Sequence, residues 1–133
     1  MKFIDSNIFL RYLLWDDPVK AEDCRKLFKK AVEGREPLWT TSLVIAEVVW
    51  VLEGVYKYPV EKIANAVLQL LNVDGLHVEH KELLMESVGL YKLKNIDFID
   101  AYNAVFMLEK GIKTVYSYDH DFDKIESLHR QEP

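Results

Sequence analysis

The chain has 133 residues, half of them hydrophobic and 29% charged, with a net charge of −5 and a single cysteine, Cys24. That is the balance of one ordinary globular domain with a proper core. Its acidity argues against broad, purely electrostatic binding of nucleic acid, but not against a nuclease whose bound cations reverse the sign locally. One cysteine excludes an internal disulfide and suits a reducing compartment. Asp5 interrupts the only early apolar run and nothing approaches the ~18 apolar residues of a membrane span, so the expectation is a cytoplasmic protein with no membrane association.

Residues 2–5 read as a short strand ending in an acid. Residues 6–14 follow as a helix with Ile8, Phe9, Tyr12 and Leu13 as its apolar stripe. Asp17 suits an N-cap and Pro18 the first position of a second helix, which carries Ala21, Cys24, Leu27, Phe28 and Ala31 at helical spacing and stops at Gly34. Residues 37–41 make a second strand, and Thr41-Ser42 caps a very apolar helix over 43–52. Pro59 opens the next helix, with Ile63, Val67, Leu70 and Leu71 inward.

A third strand near 76–79 precedes an amphipathic helix from Lys81 to about Leu93. The helix after Asn95 carries Asp97 and Asp100 near its start and ends at Gly111, which suits a left-handed C′ position. Its apolar residues Phe98, Ile99, Tyr102, Val105 and Phe106 nearly surround the axis, which predicts a buried helix. A fourth strand over 113–118 leads into the acidic loop 119–123. The tail after Ile125 is polar and unpatterned and stays unassigned. The repeated strand, helix, helix rhythm predicts an α/β fold over residues 1–133, a single domain whose parallel sheet has helices on both faces.

In open parallel sheets, sites form outside the carboxyl ends of the strands. Asp5 ends the first strand, Asp119 ends the fourth, and Asp100 starts the helix leading into the fourth. Glu47 has Leu43, Val44, Trp50 and Val51 three or four residues away, in a position that packing would give to leucine. No Lys or Arg lies within a turn of it, which favours a functional acid over a buried ion pair. Each of the others has a blander reading. Asp5 suits a cap, Asp97 an N-cap with Asp100 as its partner, and Asp119, Asp121 and Asp123 a solvated loop. The D-x-D-x-D run lacks both the glycine and the bidentate Glu of a calcium loop.

Gathered together, such acids repel one another, and their hard oxygens suit Mg²⁺ or Mn²⁺. A divalent cation there activates water and holds a phosphodiester for in-line attack. Competing chemistries are poorly supplied. His77, His80, His120 and His129 form no zinc pattern with Cys24. There is no G-x-S-x-G elbow, no P-loop and no Rossmann glycine fingerprint.

With these residues in place, the chain resembles the PIN-domain ribonucleases of the VapC toxin type. The resemblance runs over nearly the whole length and rests on Phe3-Ile-Asp-Ser-Asn7 with Arg11, Thr41-Ser-Leu-Val-Ile-Ala-Glu47, Asp97-Phe-Ile-Asp-Ala101 and Ser117-Tyr-Asp-His-Asp-Phe122. It implies a three-layer α/β/α fold with a central, mostly parallel sheet of four to five strands. It also implies a Mg²⁺- or Mn²⁺-dependent endoribonuclease with Asp5, Glu47, Asp100 and Asp119 as catalytic acids and metal ligands, supported by Asn7 and Ser42. Ser6 stands where relatives often have threonine, so the hydroxyl is kept. Asp97 and Asp121 stay open as further members. The implied partners are RNA, a small antitoxin protein and a second copy of the chain.

Lys26, Lys29, Lys30 and Arg35, like Lys81, Lys92 and Lys94, are read as solvated helix faces ahead of an RNA rim. Trp15, Trp39, Trp50, Tyr56 and Tyr58 are read as core or interface residues ahead of base-stacking platforms. The alternative function is a non-catalytic or receiver-like Mg²⁺-binding interaction domain. Against a receiver, Asp5 is followed by Ser6-Asn7 rather than by a second acid.

Overall fold

The computed structural model describes residues 1–133 and divides the chain into two compact units, Met1–Lys81 and Glu82–Pro133. In the first unit, β1 (Lys2–Phe3), β2 (Leu38–Thr40) and β3 (Leu76–Val78) form a parallel sheet in that order. Parallel neighbours need long crossovers. These are α1 (Ser6–Leu14) and α2 (Pro18–Val32) between β1 and β2, then α3 (Ser42–Gly54) and α4 (Val60–Leu71) between β2 and β3.

The helix starts follow local chemistry. Asp17 accepts from the Lys20 amide at 3.1 Å with Pro18 in the first turn, and the Thr41 hydroxyl accepts from the Val44 amide at 3.3 Å. Such caps satisfy amides that have no partner within the helix. The core gathers Phe9, Leu38, Ile45, Leu52, Ile63 and Leu70, all essentially inaccessible. Phe28 joins α2 to α1, its ring 5.8 Å from Phe9 and 5.0 Å from Tyr12. Thr40, buried in the sheet, donates its hydroxyl to the Ile4 carbonyl at 3.0 Å, so no buried hydroxyl is left unpaired there.

The second unit contains α5 (Lys81–Lys94, whose first residue closes the other unit), α6 (Phe98–Glu109), β4 (Thr114–Tyr116), a 3₁₀ turn (His120–Lys124) and β5 (His129–Gln131). Tyr91 of α5 and Phe98 of α6 meet edge to face at 5.7 Å, and both are buried. β4 and β5 are parallel, with Thr114, Val115 and Tyr116 opposite His129, Arg130 and Gln131. The α/β class with parallel strands is therefore observed. The five strands are divided into a three-stranded and a two-stranded sheet.

Three expectations change. β5 arises in the unassigned tail, where a polar His-Arg-Gln strand has no hydrophobic alternation to betray it. α6 is not apolar-buried all round: Phe98 and Val105 are buried, but Ile99 and Phe106 are exposed. Trp15, Trp39, Trp50 and Tyr56 are exposed, which overturns the core half of their reading and leaves the interface half untouched. No helix is long and apolar enough to cross a membrane.

Among the glycines, Gly75 is the one packed too tightly for a side chain. It has φ +80, its carbonyl accepts from Leu38, and a Cβ at this position would lie 2.1 Å from the Ala31 carbonyl oxygen. Both the left-handed conformation and the backbone clash exclude a side chain. Gly75→Ala is expected to destabilise the protein by at least ~2 kcal/mol, measured as a shift in the urea midpoint with unchanged m. A change within error would mean that α2 and the β3 entrance separate freely.

Candidate active site

Asp5 ends the segment after β1 and caps α1, accepting the Ser6 amide at 2.7 Å. The capping reading of Asp5 is thus correct in geometry, and it leaves the residue exposed. Ser6 itself is buried, and its hydroxyl donates to Glu47 Oε1 on α3. One serine therefore links the two candidate acids of the first unit, its amide to Asp5 and its hydroxyl to Glu47. Sequence reading registered Ser6 only as a retained hydroxyl; the hydrogen bond across 41 residues gives it a role in aiming Glu47.

Glu47 is not buried, which corrects the expectation drawn from its apolar neighbours. α3 is apolar on more than its packed face, and Leu43 and Trp50, one turn either side of Glu47, are 79% and 71% exposed. The supporting residues also differ in what they do. Ser42 donates its hydroxyl to Glu79 at 3.0 Å, and Asn7 lies exposed beside Arg11 in a shallow cleft of α1 and α2.

In the second unit, Asp100 and Asp119 come together, and Asp121 joins them. One carboxylate oxygen from each lies within 4.8 Å of the others. Local structure accounts for the placement. Asp97 is the N-cap of α6, accepting the Phe98 amide at 3.1 Å, which puts Asp100 in the first turn, half-buried. Asp119 caps the 3₁₀ turn, accepting the Asp121 amide at 2.9 Å. Asp121 accepts the Asp97 amide at 3.2 Å and pairs with Lys124 at 3.2 Å, tying this turn to the start of α6. Asp97 therefore serves as a cap and a tether, and Asp121 lies in the cluster.

The electrostatics of the pair are unequal. Burial pushes the Asp100 carboxyl up to about 7, helped by its hydrogen bond to Asp119 and by the charges of Asp119, Asp97 and Asp121. Asp119 is held below the usual carboxylate range by the Asp121 amide and by the hydrogen bond to Asp100. One proton is thus shared between two carboxylates, the expected response when like charges meet. Three hard oxygen donors carrying up to three negative charges form a donor set that fits Mg²⁺ or Mn²⁺ and not a softer metal.

A sequence model of the PIN domain matches residues 2–128, the span from β1 to the entrance of β5. The chain belongs to the PIN-domain family. This PIN domain is 31% identical over 125 residues to the VapC ribonuclease of Aquifex aeolicus (strain VF5), covering 94% of the chain and 92% of that relative. It is also similar to the crystal structure of Mycobacterium tuberculosis VapC20, described as a sarcin-ricin loop cleaving toxin. That similarity has 19% identity, 95% coverage of each chain and a TM-score of 0.42. With the family assigned, the receiver-like alternative gives way.

The raised Asp100 carboxyl has a consequence for the cation-free PIN domain. The folded chain holds a proton at Asp100 that the unfolded chain releases in the ordinary carboxylate range. This contribution to stability is complete below that range and is lost as pH rises through about 7. Resistance to urea is therefore expected to decline between about pH 5 and about pH 8, and Asp100→Asn to flatten the decline. An equal slope in the variant would refute the shared-proton pair.

Proposed function

We propose that this PIN domain is a Mg²⁺- or Mn²⁺-dependent endoribonuclease that hydrolyses RNA phosphodiester bonds as the toxin of a toxin–antitoxin pair. Asp5, Glu47, Asp100 and Asp119 are its proposed catalytic acids and metal ligands, with Asp121 as a further ligand. The observation that carries the reading is the convergence of Asp100, Asp119 and Asp121 within 4.8 Å, an arrangement that like charges resist and a cation favours. The similarity to a ribonuclease over 94% of the chain supports it. Residues 1–133 are proposed to act as one domain, since the family match crosses both units. A small antitoxin protein, a homodimeric state and a cytoplasmic location complete the proposal, all following the kinship with VapC proteins.

When bound, a divalent cation supplies Lewis-acid polarisation of the phosphodiester and a more acidic attacking water. The chain's own residues do the remaining work. Asp100 gives up its proton as the site fills, and Asp119 is already ionised at neutral pH, so both offer charged oxygens. Asp121 brings a third oxygen from a turn fixed by its own hydrogen bonds. Glu47 is exposed and aimed by the Ser6 hydroxyl; as the proposed general base it takes the proton that the attacking water loses as its oxygen bonds to phosphorus and the P–O bond to the departing ribose oxygen breaks, that oxygen leaving with a proton from solvent. The net charge of −5 means that the RNA backbone is held by local contacts rather than by the overall field.

Purified protein with Mn²⁺ and a labelled RNA is expected to cut, to stop on chelation and to resume when Mn²⁺ is restored. Asp100→Asn and Glu47→Gln should each lower the cleavage rate by about 100-fold or more while keeping the native circular dichroism. Full cleavage by purified Asp100→Asn would overturn the assignment of that residue, and cleavage in excess chelator would overturn metal dependence.

A further inference from the structure

Beyond the acids themselves, the second unit contains a cation whose bonds frame the turn that carries two of them. Arg130 sits in the middle of β5, opposite Val115 of β4, with its side chain 12% exposed. Its Nη1 donates to the Ser117 carbonyl at 2.9 Å, just before the acidic turn. Its Nε donates to Asp123 Oδ1 at 3.0 Å, near the end of that turn. Nη2 lies 3.1 Å from Nδ1 of His120, the residue between Asp119 and Asp121. Inside this frame, the Asp119 amide donates to the Ser117 hydroxyl at 2.9 Å and the Asp121 amide donates to Asp119 at 2.9 Å.

We propose that Arg130 is a positioning residue for the acidic site: its guanidinium fixes both ends of the turn and so sets where Asp119 and Asp121 stand relative to Asp100. The inference rests on the nuclease reading above and deepens it. The fork geometry is what the position uses. Separate nitrogens reach a backbone carbonyl and a carboxylate at once, while His120 Nδ1 faces the same carboxylate at 2.9 Å; a lysine ammonium on a flexible stem does not reproduce this. From the other side, Asp121 and Lys124 already tie the turn to the residues that open α6, Asp97 and Asn95. Arg130 supplies the opposing anchor, from β5. The strand itself does not need it, because β5 is joined to β4 by backbone hydrogen bonds, among them His129 to Lys113 and Ser117 to Gln131.

Partners that orient metal ligands typically cost about 10- to 100-fold in metal affinity or activity when lost. Arg130→Met in the full chain is expected to weaken Mn²⁺ binding by that factor in titration calorimetry. It should lower kcat for RNA cleavage with KM within about twofold, as expected of a residue that acts through the metal ligands rather than by holding RNA. Arg130→Lys should fall between, and Asp123→Asn, which keeps an accepting oxygen but not the charge, should show a smaller loss in the same direction. Each is assayed well below its own unfolding temperature, so that a merely structural role leaves Mn²⁺ affinity unmoved. Parental affinity in folded Arg130→Met, or in both other variants should that one not fold, overturns the proposal. A parent chain that neither binds Mn²⁺ nor cuts RNA is a different failure: it overturns the nuclease reading and takes this inference with it.

Discussion

Carboxylates placed side by side repel, and the second unit is arranged so that three of them stay side by side nonetheless. Asp100 is held by the geometry of a helix start, and Asp119 and Asp121 by a tight turn. Several features offset the repulsion in the absence of a cation. A proton is shared between Asp100 and Asp119, amides point at Asp119 and Asp121, and Lys124 stands against Asp121. Each of these is a modest, partly solvated interaction. A divalent cation would do the same work more strongly, which supports the proposal that the cluster is a ligand set.

The first unit solves a different problem. Its three parallel strands are short, and their order follows from two helical crossovers whose apolar faces fill the core. Asp5 and Glu47 add nothing to that core. They are exposed acids joined through a buried serine, and the buried member is the neutral one. Burying the hydroxyl rather than the carboxylates avoids the large cost of desolvating charge and still fixes the direction of Glu47.

Local chemistry in the sequence was readily legible. Asp17 with Pro18, Thr41 before an apolar run, and Asp97 before α6 all cap where their residue types and spacing indicate, because capping depends on a few adjacent atoms. The helical crossovers were legible from apolar periodicity. The burial of Glu47 was misjudged for the same reason that periodicity works: it assumes that apolar neighbours face inward. On α3 apolar residues occupy more than one face, and Leu43 and Trp50 point outward beside the acid. β5 was illegible because a short polar strand is specified by its partner's backbone, not by its own side chains.

The sequence by itself determined the parallel α/β class and the starts and stops of most helices. These depend on interactions within a turn or a strand and on the summed preference of apolar residues for the interior. Tertiary structure alone decided which side chains meet: Ser6 with Glu47, Asp121 with Asp97, and Arg130 with both ends of the acidic turn. Those contacts join residues 7 to 41 positions apart, from Arg130 and Asp123 to Ser6 and Glu47. Hydrogen bonds of that span act over about 3 Å, and no pattern along the chain encodes such a distance.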